Sequence, residues 1–202
     1  MPITINGNGT ITSLSVGGLP DGTVATDTLA TGTGGKILQV KQTTDDAPSQ
    51  ILSSASAQTW YTITTINVAI TPSSASNKML VSAHITGEGN KEDHEIFYRL
   101  ARTVGGTTTG FAIADSSASN RVRSTGVMAE MYYAGNNSST LGVTDIADFL
   151  DSPNTTSEIT YHVQIAANSG TFSWLINRCW STDDQYNYER GCSWLTVKEV
   201  AA

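Results

Sequence analysis

Hydrophobic and polar residues alternate along much of the chain beyond Lys36. The clearest example is a run in which Ile159, Tyr161, Val163 and Ile165 are separated by threonine, histidine and glutamine. A period of two places successive side chains on opposite faces of a β-strand. Helical periodicity is nearly absent from the sequence. The pattern therefore predicts an all-β fold.

Turn-forming residues divide the chain into about nine such segments, which is typical of a β-sandwich or jelly roll. We therefore expect a jelly-roll-like β-sandwich over residues 36–202. The expected strands cover 37–40, 60–71, 79–85, 96–100, 127–133, 143–150, 158–166, 171–178 and 193–200.

Two sets of polar residues can be assigned to strand faces. Met79, Val81, Ala83 and Ile85 would lie on one face, so His84 falls on the other. Three acidic residues are spaced by three, which places the middle one opposite the other two on a regular strand. They cannot converge there, and all three are expected to be surface acids: Asp145, Asp148 and Asp151.

The first 35 residues form a separate, glycine-rich segment. They include eight glycines, no aromatic residue and no basic residue. So few large apolar side chains cannot offset the conformational entropy of ordering the backbone. We expect an extended segment that is ordered only by something outside it, with a boundary at the Gly/Thr-rich run 31–35.

Some expected strands are apolar on both faces, notably 96–100 and 127–133. A single sandwich with a fully hydrated exterior does not need so many two-sided strands, so some outer faces should contact another protein. A homotrimer packed around a three-fold axis is the most economical arrangement. A dimer is also compatible with the sequence.

Composition excludes several classes of partner. The net charge is −7, and the eleven basic residues are scattered, which argues against binding of nucleic acid. No apolar window approaches 18 residues, so no membrane span is expected. The N-terminus lacks the features of a secretory signal, so the two cysteines are expected to be thiols by default.

Five phrases carry a family resemblance: ITINGNGTITSLSVGGLPDGTVATDTLA, GGKILQVKQ, TINVAITPSSASNKMLVSAHI, DFLDSPNTTSEITYHVQIAANSG and the final TVKEVAA. The first resembles the glycine-rich stretches of tailed-bacteriophage fibre proteins. The others resemble the C-terminal domain that follows such stretches in that family. The resemblance covers both parts of the chain. The chain departs from the family in being short, without long shaft repeats.

The resemblance implies a trimeric virion protein with a structural or adhesion role and no catalytic residues. We expect a short tail fibre, assembled in the host cytoplasm, whose β-domain binds a glycan or protein on the host cell. Residues 1–35 would anchor it to tail or baseplate proteins through Ile3, Ile5, Ile11 and Leu14. One alternative is a capsid decoration or head-fibre protein held by capsid proteins. A second alternative is a surface-glycan depolymerase.

Two cysteines, Cys179 and Cys192, bracket a segment rich in aromatic and charged residues. Such residues combine a large contact area with hydrogen-bonding tips. We assign a receptor-binding role to Trp180, Asp183, Asp184, Tyr186, Tyr188 and Arg190. If the flanking strands form a hairpin, the cysteines can face each other and form a disulfide. The alternative is a pair of buried thiols, with the aromatic residues filling a subunit interface.

The sequence contains no strong motif for catalysis or metal binding. The charged run 88–95 lacks EF-hand spacing and includes Lys91, so it is interpreted as a solvated loop rather than a metal site. The glycines before Lys36 lead into a strand, whereas a phosphate loop leads into a helix. His84, His94 and His162 belong to no catalytic motif. We therefore expect a binding protein that is not an enzyme and uses no cofactor or metal.

Overall fold

The computed structural model describes residues 36–90, 96–114, 121–128, 140–180, 186 and 188–202. The segment 1–35 lies outside this range, so the domain boundary at residue 35 stays a prediction. The described residues form twelve strands: β1 (Ile37–Asp45), β2 (Ser49–Ser56), β3 (Tyr61–Thr62), β4 (Val68–Ile70), β5 (Lys78–Gly89), β6 (Ile96–Val104), β7 (Thr107–Phe111), β8 (Gly126–Val127), β9 (Gly142–Asp151), β10 (Ile159–Ala167), β11 (Thr171–Ile176) and β12 (Ser193–Val200).

These strands form two antiparallel sheets of six strands each. Sheet A contains β1, β12, β5, β11 and β2 in that order, with β9 paired to β5. Sheet B contains β3, β10, β6 and β7 in that order, with β4 paired to β10 and β8 to β6. The predicted all-β sandwich is confirmed, with more strands than the nine expected. The trimer stays a prediction.

The hydrophobic core lies between the two sheets. The alternating residues Tyr161, Val163 and Ile165 on β10 belong to the same buried cluster as Val81 and Val197 of sheet A. Ring contacts also join the sheets, since the Tyr61 and Phe172 ring centroids lie 6.0 Å apart in an edge-on arrangement. The period of two therefore predicted which side chains of β10 point into the core between the sheets. Because alternate side chains point inward, the remaining side chains of these strands lie on the outer faces of the sheets, where a partner can reach them.

The expected strand over 60–71 is wrong. The structure contains two short strands, β3 and β4, separated by a turn. The Asn67 side chain donates to the Thr64 carbonyl oxygen at 2.7 Å, and the Asn67 carbonyl accepts from Thr43 Oγ1 at 2.7 Å. These local bonds compete with a continuous ladder. Ile63 and Ile66 remain fully buried, so the turn preserves the apolar positions that suggested a strand.

Asp151 is not a surface acid, and this is a second correction. The register of β9 against β5 shifts between the pairs Val81–Phe149 and Ala83–Ile146, which is a β-bulge. A bulge inserts an extra residue and changes which side chains point inward beyond it. Asp151 lies opposite Met79 and is buried. Only the part of β9 before the bulge keeps the alternation read from the sequence.

The buried Asp151 carboxylate joins the two sheets. Arg102 of β6 forms an ion pair with one of its oxygens, and the Tyr161 hydroxyl donates to the other at 2.7 Å. Burial, followed by the negative charge of Asp151 and this hydrogen bond, raises the pKa of Tyr161 well above its ordinary value. Tyr161 is therefore a neutral hydroxyl that donates to Asp151.

A second buried carboxylate, Glu199, fixes the end of sheet A. Its Oε1 accepts from Asn77 Nδ2 and from both the backbone N and the hydroxyl of Ser73, all at 2.7 Å. Its Oε2 accepts from Gln39 Nε2 at 2.6 Å. Burial opposes ionisation, but these hydrogen bonds outweigh it and lower the pKa of Glu199 to about 2. The charged form is thus the one that the fold stabilises.

Candidate functional site

The loop predicted to bind a receptor connects β11 to β12, and these strands do not form a hairpin. Both pair antiparallel with β5, β11 at Gly87–Gly89 and β12 at Lys78–His84. At Gly87, β9 occupies the other side of β5, so β11 and β12 follow one another along the same side. Residues 177–192 are therefore an excursion between two successive strands. The hairpin on which a disulfide was made conditional is therefore absent.

No disulfide joins Cys179 and Cys192 in the structure. At the root of the loop Arg178 pairs with Arg190, so the antiparallel register places Cys179 opposite Glu189 and not opposite Cys192. Cys179 is buried and Cys192 is half-buried. The geometry on which the disulfide prediction depended is absent. The choice between a disulfide and two thiols stays a prediction.

Four of the six predicted receptor-binding residues lie among the described residues, and Asp183 and Asp184 do not. Tyr186 is fully exposed, Tyr188 is half-buried and Arg190 is exposed. Trp180 is half-buried, and its backbone N donates to the buried Glu88 carboxylate at 2.5 Å. Trp180 thus sits at the base of the loop, while Tyr186 is accessible to a partner.

A polar network holds the root of the loop. The Asn177 Oδ1 accepts from Ser193 Oγ at 2.7 Å and from Thr86 Oγ1 at 3.1 Å. Asn177 has a φ of 59°, a left-handed conformation that asparagine tolerates better than most residues. A Cβ at Gly191 would lie 2.2 Å from Thr86 Oγ1, so only glycine fits against this network. The loop therefore leaves the sheet at a defined place.

The outer face of sheet A carries a row of aliphatic side chains, here called the aliphatic patch. Cross-strand pairs place Val40 opposite Lys198, Lys198 opposite Leu80 and Leu80 opposite Leu150. In the adjacent row Ile37 lies opposite Val200. Val40, Leu150 and Ile37 are 56%, 53% and 53% exposed. Large aliphatic residues so exposed on one face are typical of an interaction surface.

At the other end of this face lies a His–Asp pair. His84 is on the face opposite the core residues of β5, as predicted, and its Nδ1 lies 2.5 Å from Asp145 Oδ1. Its ring stacks on Trp194 with centroids 4.0 Å apart. Among the described residues, no hydroxyl group lies within hydrogen-bond distance of the His84 ring. This pair supplies a polar, aromatic surface but no nucleophile.

Other predicted sites fall partly or wholly outside the described residues. This applies to the anchoring residues Ile3, Ile5, Ile11 and Leu14 and to residues 91–95 of the charged run. Within the ranges that the structure describes, no three potential metal ligands cluster. No helix among those residues is long and apolar enough to cross a membrane.

Comparisons with known proteins give little. No protein-family model and no curated protein matches the chain. Solved structures of infectious bursal disease virus are weakly similar: the Gt strain at 12% identity and a TM-score of 0.35, the Gx strain at 12% and 0.32, and the VP2 subviral particle at 13% and 0.31. The matches cover 81% of this chain but only 37–38% of those chains. Similarity this low carries no argument about function.

Proposed function

We propose that this chain is a structural protein of a bacteriophage virion, a short tail fibre that assembles as a homotrimer and binds the host cell surface. The observation that carries the proposal is the aliphatic patch on the outer face of sheet A. The sequence resemblance to tailed-bacteriophage fibre proteins supports the choice of a fibre. The mechanism is binding rather than catalysis.

Self-association accounts for the aliphatic patch. Burial of apolar surface is worth about 25 cal/mol per Å², so a row of half-exposed aliphatic residues gains free energy when another copy covers it. Lys198 lies within the row, and its long aliphatic stem can pack there while its ammonium reaches solvent. A closed cyclic oligomer covers such a patch on every copy.

The start of β1 is consistent with this arrangement. Ile37 is part of the patch and follows directly on Lys36, the residue that joins the sandwich to the N-terminal segment. In an oligomer assembled through the patch, the segments of all copies would leave from neighbouring points. They could then intertwine and bind one site on tail or baseplate proteins through Ile3, Ile5, Ile11 and Leu14.

Host recognition is assigned to the loop between β11 and β12. Tyr186 is fully exposed, and large aromatic side chains often provide the central contacts of an interface. The loop root is fixed by Asn177 and Gly191, which limits the entropy lost on binding. Three loops on one trimer, and several fibres on one virion, raise the avidity for a repetitive cell surface.

Labelling of intact virions with antibody against this chain tests the proposal. Label at the tail tip or baseplate is the expected result. Label on the head would instead support the capsid decoration or head-fibre role, and absence from the virion would overturn both. Release of reducing sugar from purified host surface polymer by the purified chain would support the depolymerase.

A further inference from the structure

The outer face of sheet B differs from an ordinary hydrated sheet face. Tyr161, Val163 and Ile165 of β10 point into the core, so His162, Gln164 and Ala166 lie on the outer face. These outward side chains are nevertheless only 5%, 6% and 1% exposed. A buried outer face with polar side chains is unusual, because buried polar groups cost free energy unless they are hydrogen-bonded.

A cavity of about 360 Å³ opens at one end of this face. Ligand sites usually have volumes of about 300–1,000 Å³, so a single small ring compound fits. Apolar and amide side chains share the lining, which includes Gln58, Trp60, Phe97, Val122, Ala166 and Asn168.

Arg99 lies in the row next to this cavity. Cross-strand pairing places Phe97 opposite Ala166, and two residues further along β6 it places Arg99 opposite Gln164. The Arg99 guanidinium lies over the Trp60 ring, 4.3 Å from its centroid. Its Nε donates to Gln164 Oε1 at 2.9 Å, and Gln164 Nε2 donates to Thr62 Oγ1 at 3.2 Å. The guanidinium is thus held beside a wall of the cavity.

Arg99 has no carboxylate partner among the residues that the structure describes. The ion pairs found there are Arg102–Asp151 and His84–Asp145. Arg99 is half-buried, and this burial lowers the pKa of its guanidinium. In a chain of net charge −7, a half-buried cation without a carboxylate is a natural position for an anionic ligand.

His162 lies on the same outer face, two outward residues before Ala166 along β10, and is not among the residues that line the cavity. Its Nε2 is buried and has no hydrogen-bond partner among the described residues. Burial, and then the charge of Arg99, lower the pKa of His162, so the imidazole is neutral at pH 7. Successive outward residues of a strand are about 7 Å apart, so His162 lies one such step from Gln164. Buried polar atoms of this kind usually have a partner.

We propose that this cavity binds a ring-bearing monocarboxylate, such as a hexuronic acid or an aromatic acid. The ligand's carboxylate would bind the Nη groups of Arg99, which suit the two oxygens of a carboxylate. Its ring would pack against Trp60 and Phe97, and the amides of Gln58 and Asn168 would bind polar substituents. A dianion such as phosphate usually needs more than one cation, and the described residues that line the cavity include neither lysine nor arginine.

The inference goes beyond the proposed function and does not depend on it. The cavity lies on sheet B, whereas the aliphatic patch and the loop between β11 and β12 belong to sheet A. A chain that is absent from virions could still bind such a ligand. A virion fibre could equally lack it, so the two proposals fail separately.

Titration of the full chain with D-glucuronate, benzoate and methyl β-D-glucoside tests the proposal. We expect saturable binding of at least one carboxylate, at least tenfold tighter than binding of the neutral glucoside. NMR signals of the Gln164 side-chain amide should shift with the carboxylate and not with the glucoside. Binding of glucuronate alone assigns the site to acidic sugars, and binding of benzoate alone assigns it to aromatic acids.

Two substitutions refine this test. Arg99→Gln should weaken carboxylate binding at least tenfold, and Arg99→Lys, which keeps the charge but not the paired donors, should weaken it less. Lys41→Gln removes an exposed cation from β1 of sheet A and should leave binding unchanged. The proposal is overturned if neither carboxylate binds more tightly than the glucoside in the wild-type chain. It is also overturned if a folded Arg99→Gln chain binds as the wild type does.

Discussion

Two buried carboxylates, Asp151 and Glu199, each hold several polar groups of this sandwich together. Asp151 joins sheet A to sheet B through Arg102 and Tyr161, and Glu199 gathers donors at one end of sheet A. Neither role could be predicted from the sequence. Asp151 was expected at the surface because its position was counted along a regular strand, whereas a bulge changes the phase of β9. By contrast, the face of His84 was predicted correctly, because β5 is regular there.

Replacement of Glu199 by glutamine should reduce the acid sensitivity of the fold. Its folded-state pKa of about 2 lies below the ordinary value of 4.5. The stabilisation is therefore complete above about pH 4.5 and is lost as the pH falls towards 2. We expect Glu199→Gln to lower the free energy of unfolding at pH 7 by about 2–3 kcal/mol and to flatten its decrease between pH 4.5 and 2.

Urea unfolding, followed by tryptophan fluorescence at pH 7 and pH 3, measures this effect. Glu158→Gln, which changes an exposed carboxylate, serves as the control and should behave like the wild type. An acid dependence of Glu199→Gln equal to that of the wild type would show that Glu199 does not stabilise the fold by its charge.

Removal of the Asp151 carboxylate should be strongly destabilising. Asp151→Ala leaves the Arg102 charge and the Tyr161 hydroxyl without their acceptor inside the sandwich, at a cost of about 3–5 kcal/mol. Tyr161→Phe keeps the ion pair and should cost about 1 kcal/mol. Asp145→Ala, at a side chain that is 74% exposed, should cost less than about 1 kcal/mol. Equal unfolding free energies for Asp151→Ala and Asp145→Ala would refute the role given to Asp151.

At the scale of elements, the sequence predicts strands well where alternation is strong. β12 begins and ends at the expected residues, and β10 differs by one residue at each end. The strands that were not expected, β2 and β7, consist largely of serine, threonine, alanine and glycine or glutamine. Their side chains give little contrast between faces, so pairing with neighbours, rather than an amphipathic pattern, determines these strands.

The arrangement of the loop between β11 and β12 also could not be predicted from local sequence. Its composition indicated a binding segment, but the relation of β11 to β12 depends on β5, which is about a hundred residues away in the chain. No local pattern distinguishes a hairpin from two strands that follow one another along a third. The neighbourhood of Trp60 and Arg99 was missed for the same reason, because pairing of β6 with β10 brings Arg99 to Gln164.

Truncation of the two loop tyrosines tests host recognition. Tyr186→Ala combined with Tyr188→Ala should reduce binding of the purified chain to host cells at least tenfold, because the exposed Tyr186 ring and the accessible part of the half-buried Tyr188 ring supply contact area. The thermal unfolding temperature should stay within about 2 °C of the wild type, since surface substitutions rarely affect stability. Glu158→Gln again provides a control. Full cell binding by the folded double variant would show that these tyrosines do not bind the host.

In the whole molecule, the two sheets share one core but differ in their outer faces. Their inner faces form one core, and the outer face of sheet A carries the aliphatic patch. The loop between β11 and β12 connects two strands of the same sheet. The sequence indicated that some outer faces would be apolar, since several strands were apolar on both sides. It placed them on the segments 96–100 and 127–133, whereas the exposed side chains of the patch come from β1, β5, β9 and β12, which are distant in sequence.

Self-association through the aliphatic patch fixes the molar mass of the 202-residue chain in solution, and that mass can be measured. Size-exclusion chromatography with light scattering at micromolar concentration should give three times the chain mass of 21.4 kDa. Leu150→Lys should shift the mass towards the single chain, because a buried unpaired charge opposes assembly. Val143→Lys, at an exposed position far along the same strand, should leave the assembly intact. A wild-type chain with a measured molar mass of 21.4 kDa would contradict self-association through the patch.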